Sequence, residues 1–324
     1  MEITKLPFSP DISEDTLFPM RIRFPQHTGI DELIHFYHRN REFIATKLQC
    51  NGAILFSGVD INTREDFQTV MSAMGERFLD YADGNSPRTK LSDFVYTSTE
   101  YDAGKSITMH NELSYSARWP SRICFCCITP AATGGETPIA DGREVLKQMN
   151  ASLVSAIRDK GLLYIRNLHG GAGFGPSWQD TFEMNDREQV MAYCRERNMT
   201  YEWKEDGGIK LMQFSKGIIP HPVTREMVWF NQIDQFHPSH MGRDVYDVLM
   251  QMYEREEELP TYITFGDGSP VSATTVAHIL DVMDRVSIVR PWDKGDLILL
   301  DNVLVSHGRK PFTGKREVLV SMMQ

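Results

Sequence analysis

No stretch of the chain stays apolar for anything near the ~18 residues of a membrane span. The opening Met1-Glu2-Ile3-Thr4-Lys5 lacks the basic-then-apolar order of a secretory leader. Cations are in deficit: 34 Lys and Arg stand against 44 Asp and Glu, a net charge of -10, and no basic stripe interleaves with aromatics. That balance excludes a surface built for nucleic-acid phosphates. Cysteine is sparse and odd in number, five in all, with three crowded into Cys124-Phe125-Cys126-Cys127. This spacing suits neither a disulfide framework nor a paired zinc knuckle, and reads instead as small hydrophobes on a core strand in a reducing cytoplasm. Internal repeats, low-complexity tracts, linkers rich in Pro, Gly or Ser, and the Gly-x-Ser-x-Gly elbow of hydrolases are all missing. One domain spanning residues 1–324 is the simplest organisation.

What is present is an ordinary core-forming composition, 41% hydrophobic and 24% charged. Residues 31–48 carry apolar side chains at helical spacing and run to Asn51-Gly52, a natural stop. A short buried strand follows at 53–56. Thr63 with Asp66 three positions on forms a capping pattern for a helix toward Met74-Gly75. Residues 106–141 look β-rich, with an apolar run at 123–128 between Pro120 and Pro130. Helical patterns occupy 142–160, 186–197, 244–258 and 272–286. The chain then returns to strands at 297–300, after a Gly295-Asp296 turn, and at 318–322. Strands at both ends with helical insertions over about 142–290 predict a mainly β fold, a jelly-roll (double-stranded β-helix, cupin-like) core.

The chemistry concentrates in two motifs, Met109-His110-Asn111-Glu112 and Ser306-His307-Gly308-Arg309. On a strand, residues two apart share a face, so His110 and Glu112 can point together into a barrel, and His307 can join them from a neighbouring strand. Two imidazoles and one carboxylate suit Fe(II), with positions left open for a chelating co-substrate and O2. A His-x-acid match alone has little weight, because ten His and 44 acids in 324 residues supply about 1.4 by chance. Two further positions add to it. Arg316, nine residues past His307, offers a rigid planar fork to a carboxylate. Thr137, in Gly134-Gly135-Glu136-Thr137-Pro138, can give the same carboxylate a hydroxyl. Together they describe a place for the distal carboxylate of 2-oxoglutarate.

On these residues the chain resembles the taurine dioxygenase and clavaminate synthase-like superfamily of Fe(II)/2-oxoglutarate oxygenases. Within it, the chain is similar to the branch named for the syringomycin biosynthetic aspartate hydroxylase. The resembling segments are residues 110–115, 134–138, 173–179, 221–224 with 228–232, and 295–316, in the family's order. The resemblance implies His110, Glu112 and His307 as iron ligands, and Thr137 and Arg316 as 2-oxoglutarate anchors. Glu112 takes the place of an aspartate, and Arg225 stands where glycine is expected after His221-Pro222-Val223-Thr224. Related halogenases carry a small residue at the carboxylate position, so Glu112 favours hydroxylation. The implied substrate is an amino acid or related small acid, free or tethered to a carrier protein. A desaturase, cyclase or halogenase with the same centre, or a metal-binding jelly roll without activity, are the alternatives.

Arg309 either clamps a substrate carboxylate or is an ordinary surface cation. Asn111, Arg122, Trp229, Phe230 and Asn231 are further candidates for substrate contact, with core packing the simpler reading for Trp229 and Phe230. The glycine-rich 170–175 lacks the Lys-Ser/Thr of a phosphate loop and reads as a loop beside the site. His221, His237 and His240 have no tetrahedral spacing and read as loop or interface histidines.

Overall fold

Leu297, Ile298, Leu299 and Leu300 are all buried, a pattern that belongs to a strand covered on both faces, and they mark the centre of the frame. The computed structural model describes residues 10–13, 18–75, 77–79, 89–98 and 101–324. The first elements are β1 (Asp11–Ser13), β2 (Met20–Thr28), α1 (Ile30–Arg39), α2 (Arg41–Asn51), β3 (Ala53–Val59), α3 (Arg64–Met74) and β4 (Tyr96–Thr97). Then come β5 (Ile107–His110), β6 (Arg122–Thr129), β7 (Thr133–Gly134) and β8 (Ile139–Asp141). The chain closes with β15 (Leu297–Asp301), β16 (Val305–Arg309), β17 (Phe312–Thr313) and β18 (Glu317–Met323), after an insertion described below.

The central strand β15 pairs antiparallel with β3 on one side and β6 on the other, inside a seven-stranded sheet ordered β1-β2-β3-β15-β6-β18-β4. Alternation divides its side chains. Leu297 and Leu299 join Ile54, Phe56, Cys124 and Cys126 beneath α1, α2 and α3. Ile298 and Leu300 join Leu55, Phe125 and Val320 on the other face, where Ile139 and Val305 come from a three-stranded sheet, β5-β16-β8. The cysteine cluster is thus core, as its spacing suggested: Cys124, Cys126 and Cys127 are fully buried free thiols.

The capping pattern at Thr63 is real, with Asp66 N donating to Thr63 Oγ1 (3.1 Å) and Thr63 N to Asp66 Oδ2 (2.9 Å). Two long helices expected from periodicity are each broken by an asparagine. Asn40 turns its backbone out of the helical region (φ -113°, ψ 23°) and donates its side chain to Phe36 O, dividing α1 from α2. Asn150 caps a fresh start by accepting from Ser152 N (2.9 Å).

The insertion holds α4 (Gly142–Gln148), α5 (Ala151–Lys160), β9 (Leu162–Leu168), α6 (Trp178–Phe182), α7 (Arg187–Glu196), β10 (Thr200–Trp203) and β11 (Ile209–Ser215). It continues with β12 (Ile218–Pro220), β13 (Met227–Trp229), α8 (Ile233–Phe236), α9 (Arg243–Leu249), β14 (Thr261–Phe265) and α10 (Ala273–Val286). It is therefore more than helical: an antiparallel sheet β10-β11-β9-β14 and a β12-β13 hairpin lie within it. The alternation Ile209-Lys210-Leu211-Met212-Gln213, inward and outward in turn, is the strand signal that helical spacing around it obscured. The helix expected over 244–258 is only α9 followed by a short 3-10 turn. Among the described residues no helix is long and apolar enough to cross a membrane.

Arg225 adopts φ +63°, the left-handed region that explains an expectation of glycine there. It is exposed, so Arg225→Gly relieves backbone strain without opening a cavity. Thermal or urea denaturation should show a gain of up to ~1 kcal/mol, net of the added freedom of the unfolded chain.

Candidate active site

His110 ends β5 and His307 sits mid-strand in β16, directly across the ladder from it, which brings their ring centroids to 4.5 Å. Glu112 is not on a strand. The strand stops at His110, and Glu112 lies in the turn that follows, closed by Ser114 N to Asn111 O (3.2 Å) and Ser116 N to Leu113 O (2.8 Å), with Leu113 at φ +56°. The convergence expected from i, i+2 alternation is achieved by a turn instead. Glu112 Oε2 lies 3.7 Å from His307 Nε2 and 4.0 Å from His110 Nε2. All three side chains are buried, and their donor atoms fall within 4.8 Å of one another. Among the described residues no other three His, Cys, Asp or Glu side chains gather in this way.

The surroundings orient the donors. His110 Nδ1 is 2.9 Å from Thr108 O, so a proton held there leaves the Nε2 lone pair free for a metal. The Gln235 amide of α8 lies 3.0 Å from the same nitrogen and donates to Thr108 O. Phe125 of β6 covers His307, ring centroids 5.0 Å apart. Two imidazoles and a carboxylate, with no thiolate among them, are a donor set compatible with Fe(II).

A cavity of about 30 Å³ is lined by both histidines and by Phe125, Thr137, Arg309 and Arg316. The expected anchors are therefore brought to the expected ligands. Arg316 donates from Nε to Gly135 O (2.9 Å) and from Nη1 to Ser98 Oγ (3.1 Å). Gly135 has to be glycine for this: at φ +74°, a Cβ there would stand 2.9 Å from Arg316 Cδ. Burial first, and the neighbouring Arg309 charge second, push the Arg316 guanidinium down to about 10. Thr137 Oγ1 accepts from Trp292 Nε1 (3.2 Å), which leaves its own O–H to donate elsewhere.

The candidate substrate contacts fare differently. Arg309 is only 5% exposed, so it is no surface cation. It lines the cavity while its guanidinium donates to the carbonyls of Tyr101 (3.0 Å), Asp102 (2.6 Å) and Lys105 (2.9 Å), fastening that segment over β16. Arg122 shares the parity of Cys124 and Cys126 on β6, the face turned toward the helices and away from Phe125 and the cavity. Phe230 packs on Trp119 in the core, ring centroids 5.0 Å apart. Asn231 is buried with its amide on Gly217 O (3.0 Å), and Trp229 is core. Asn111 turns to Asn302, donating to its carbonyl (2.7 Å). None of Arg122, Phe230, Asn231 and Asn111 lines the cavity.

The 170–175 loop does not line it either; Gly170 packs on Gly207 and Gly175 on Pro260. His221 is buried and donates from Nε2 to Asp301 Oδ2 (3.0 Å), tying the insertion to the end of β15. His237 also has a structural job, with Nε2 3.0 Å from Val271 O.

Comparison with known proteins agrees with this geometry. The chain is 35% identical over 295 residues to the dapdiamide synthesis protein DdaC of Enterobacter agglomerans, covering 91% of this chain and 87% of that one. It is 30% identical over 290 residues to a clavaminate synthase-like protein of Arabidopsis thaliana, covering 87% and 84%. Among solved structures, PvcB from Pseudomonas aeruginosa superposes with a TM-score of 0.55 at 13% identity, over 100% of this chain and 94% of that one. A taurine dioxygenase from Burkholderia xenovorans gives 0.54 at 11%, over 97% and 89%. The profile of the taurine catabolism dioxygenase TauD, TfdA family matches residues 30–323, and the chain belongs to that family and is a dioxygenase.

Proposed function

We propose that the protein hydroxylates an unactivated C–H of an amino acid or related small acid, free or carrier-tethered, in the biosynthesis of a specialised metabolite in the cytoplasm. His110, Glu112 and His307 hold Fe(II), and Thr137 and Arg316 hold 2-oxoglutarate. The observation that carries this reading is the single cavity lined by both histidines and by the Thr137–Arg316 pair. Its lining includes two guanidinium groups and no carboxylate, which suits a dianion. The biosynthetic assignment is supported by the relative named for dapdiamide synthesis. The two facing sheets are the halves of a double-stranded β-helix, within one domain over residues 1–324.

Iron(II) held by His110, Glu112 and His307, with 2-oxoglutarate as co-reductant, would activate O2 to an oxidant able to take hydrogen from unactivated carbon. The chain's own part is placement and exclusion. Arg316 and the Thr137 hydroxyl fix the distal carboxylate, Phe125 keeps water from His307, and Thr108 and Gln235 set the plane of His110. Anaerobic Fe(II) with 2-oxoglutarate should give a weak visible absorption band, and candidate amino acids in air should release succinate. Neither signal with any candidate would sink the reading. Product mass separates hydroxylation, a gain of one oxygen, from desaturation or cyclisation, a loss of two hydrogens, and from halogenation.

Trp292→Phe removes the indole donor and lets the Thr137 hydroxyl turn. Loss of one oriented hydrogen bond, about 0.5–1.5 kcal/mol, should raise KM for 2-oxoglutarate several-fold and leave kcat near its original value. Steady-state kinetics with varied 2-oxoglutarate check this.

A further inference from the structure

A metal ligand on a strand is held by the ladder on either side of it, but Glu112 sits in a turn and has no such ladder. Its backbone is held by Asn302, a fully buried residue 190 positions away in the bend between β15 and β16. Asn302 Oδ1 accepts from Glu112 N (2.8 Å), and Nδ2 donates to Glu112 O (3.0 Å) and to Pro120 O (2.8 Å). One amide thus satisfies both backbone groups of the carboxylate residue, as a paired residue in an antiparallel ladder would. Asn302 is itself fixed from both sides: its N–H donates to Ser121 O (3.0 Å), and its carbonyl accepts from Asn111 Nδ2 (2.7 Å).

We infer that Asn302 is the positioning residue for the metal-binding carboxylate, locked reciprocally by Asn111, so that the segment delivering His307 also sets Glu112. This rests on the proposed role of Glu112 as a ligand. The job needs a donor and an acceptor on one planar head. An aspartate offers two acceptors, one of which would face the carbonyls of Glu112 and Pro120. Asn111 lies inside the first metal-bearing motif, and Asn302 in the turn between β15 and β16 that leads into the second.

The experiment is Mn(II) titration of the metal-free protein, followed by water-proton relaxation, beside thermal unfolding of the same samples. Removing an outer partner of a ligand typically costs ~10–100-fold in metal affinity, and Asn302→Asp should weaken Mn(II) binding by about that factor. Asn111→Ala should weaken it in the same direction by less. Asn167 is the matched control, a buried asparagine donating to Glu257 O (2.9 Å) and Leu259 O (2.7 Å) in the insertion. Asn167→Asp should lower the thermal midpoint and leave Mn(II) affinity where it was. The inference is overturned if both Asn302→Asp and Asn111→Ala bind Mn(II) within twofold of the parent, or if Asn167→Asp weakens binding as much as Asn302→Asp. Should Asn302→Asp fail to fold, Asn111→Ala decides by the same criterion. A parent protein that does not bind Mn(II) overturns the ligand reading and this one together, whereas binding that is indifferent to the asparagines overturns this one alone.

Discussion

Glu112→Ala should abolish oxidation of substrate and release of succinate, a loss of at least about 10³-fold, roughly 4 kcal/mol of barrier. Two neutral imidazoles remain, and neither supplies the negative charge that a hard divalent ion draws from a carboxylate. Glu112 is 3% exposed, and its Oε2 lies 3.7 Å from His307 Nε2 and 4.0 Å from His110 Nε2. Mn(II) should raise the thermal midpoint of the parent and leave that of Glu112→Ala where it stands without metal. Glu112→Asp keeps the charge on a stem shorter by one methylene, and should retain a small part of the activity. Succinate quantified by mass spectrometry, beside the thermal shift with and without Mn(II), separates these outcomes. Full activity in Glu112→Ala would show that the ligand assignment is wrong.

What could be read from the sequence follows the range of the forces involved. The central strand β15 and the cysteine strand β6 were visible because a strand covered on both faces is written as one apolar run. The cap at Thr63 was visible because its two partners are three residues apart. His110, Glu112, His307, Thr137 and Arg316 were singled out from residue type and order, since few side chains can perform the tasks proposed for them. The means of bringing them together was not visible. Glu112 was placed on a strand by alternation, whereas an asparagine from 190 residues away holds it in a turn. Trp292, Gln235 and Phe125 act through contacts that span the chain and leave no local pattern. Arg122, Phe230 and Asn231 do not line the cavity for a related reason: proximity in sequence to a motif says nothing about which face of a strand or core a side chain occupies. The insertion's sheet was hidden because short strands of mixed polarity compete poorly with strong helical periodicity on either side.

Arg316→Met should reduce affinity for 2-oxoglutarate by about 10²–10⁴-fold, because two hydrogen bonds to a charged group, each ~1.5–3 kcal/mol, disappear with nothing to replace them. The fold should tolerate the change. Burial and the Arg309 charge hold the Arg316 guanidinium down to about 10, so keeping it charged at neutral pH is a burden on the folded chain. Between about pH 10 and the ordinary guanidinium range the folded chain binds fewer protons than the unfolded one, so stability rises with pH only in that window. At neutral pH the burden is carried in full, and methionine, of similar reach and no charge, removes it. Metal-free Arg316→Met should thus match or exceed the parent in thermal midpoint while losing its response to 2-oxoglutarate. Arg316→Lys should fall between, since an ammonium restores charge without the planar fork that reaches Gly135 O and Ser98 Oγ at once. Anaerobic titration of the Fe(II) absorption band with 2-oxoglutarate measures all three affinities. If Arg316→Met bound the co-substrate as tightly as the parent, the anchor would have to be Arg309, the other guanidinium in the cavity wall. Three of that residue's five N–H donors already go to the carbonyls of Tyr101, Asp102 and Lys105, so hydrogen exchange in that segment would show whether co-substrate binding draws any of them away.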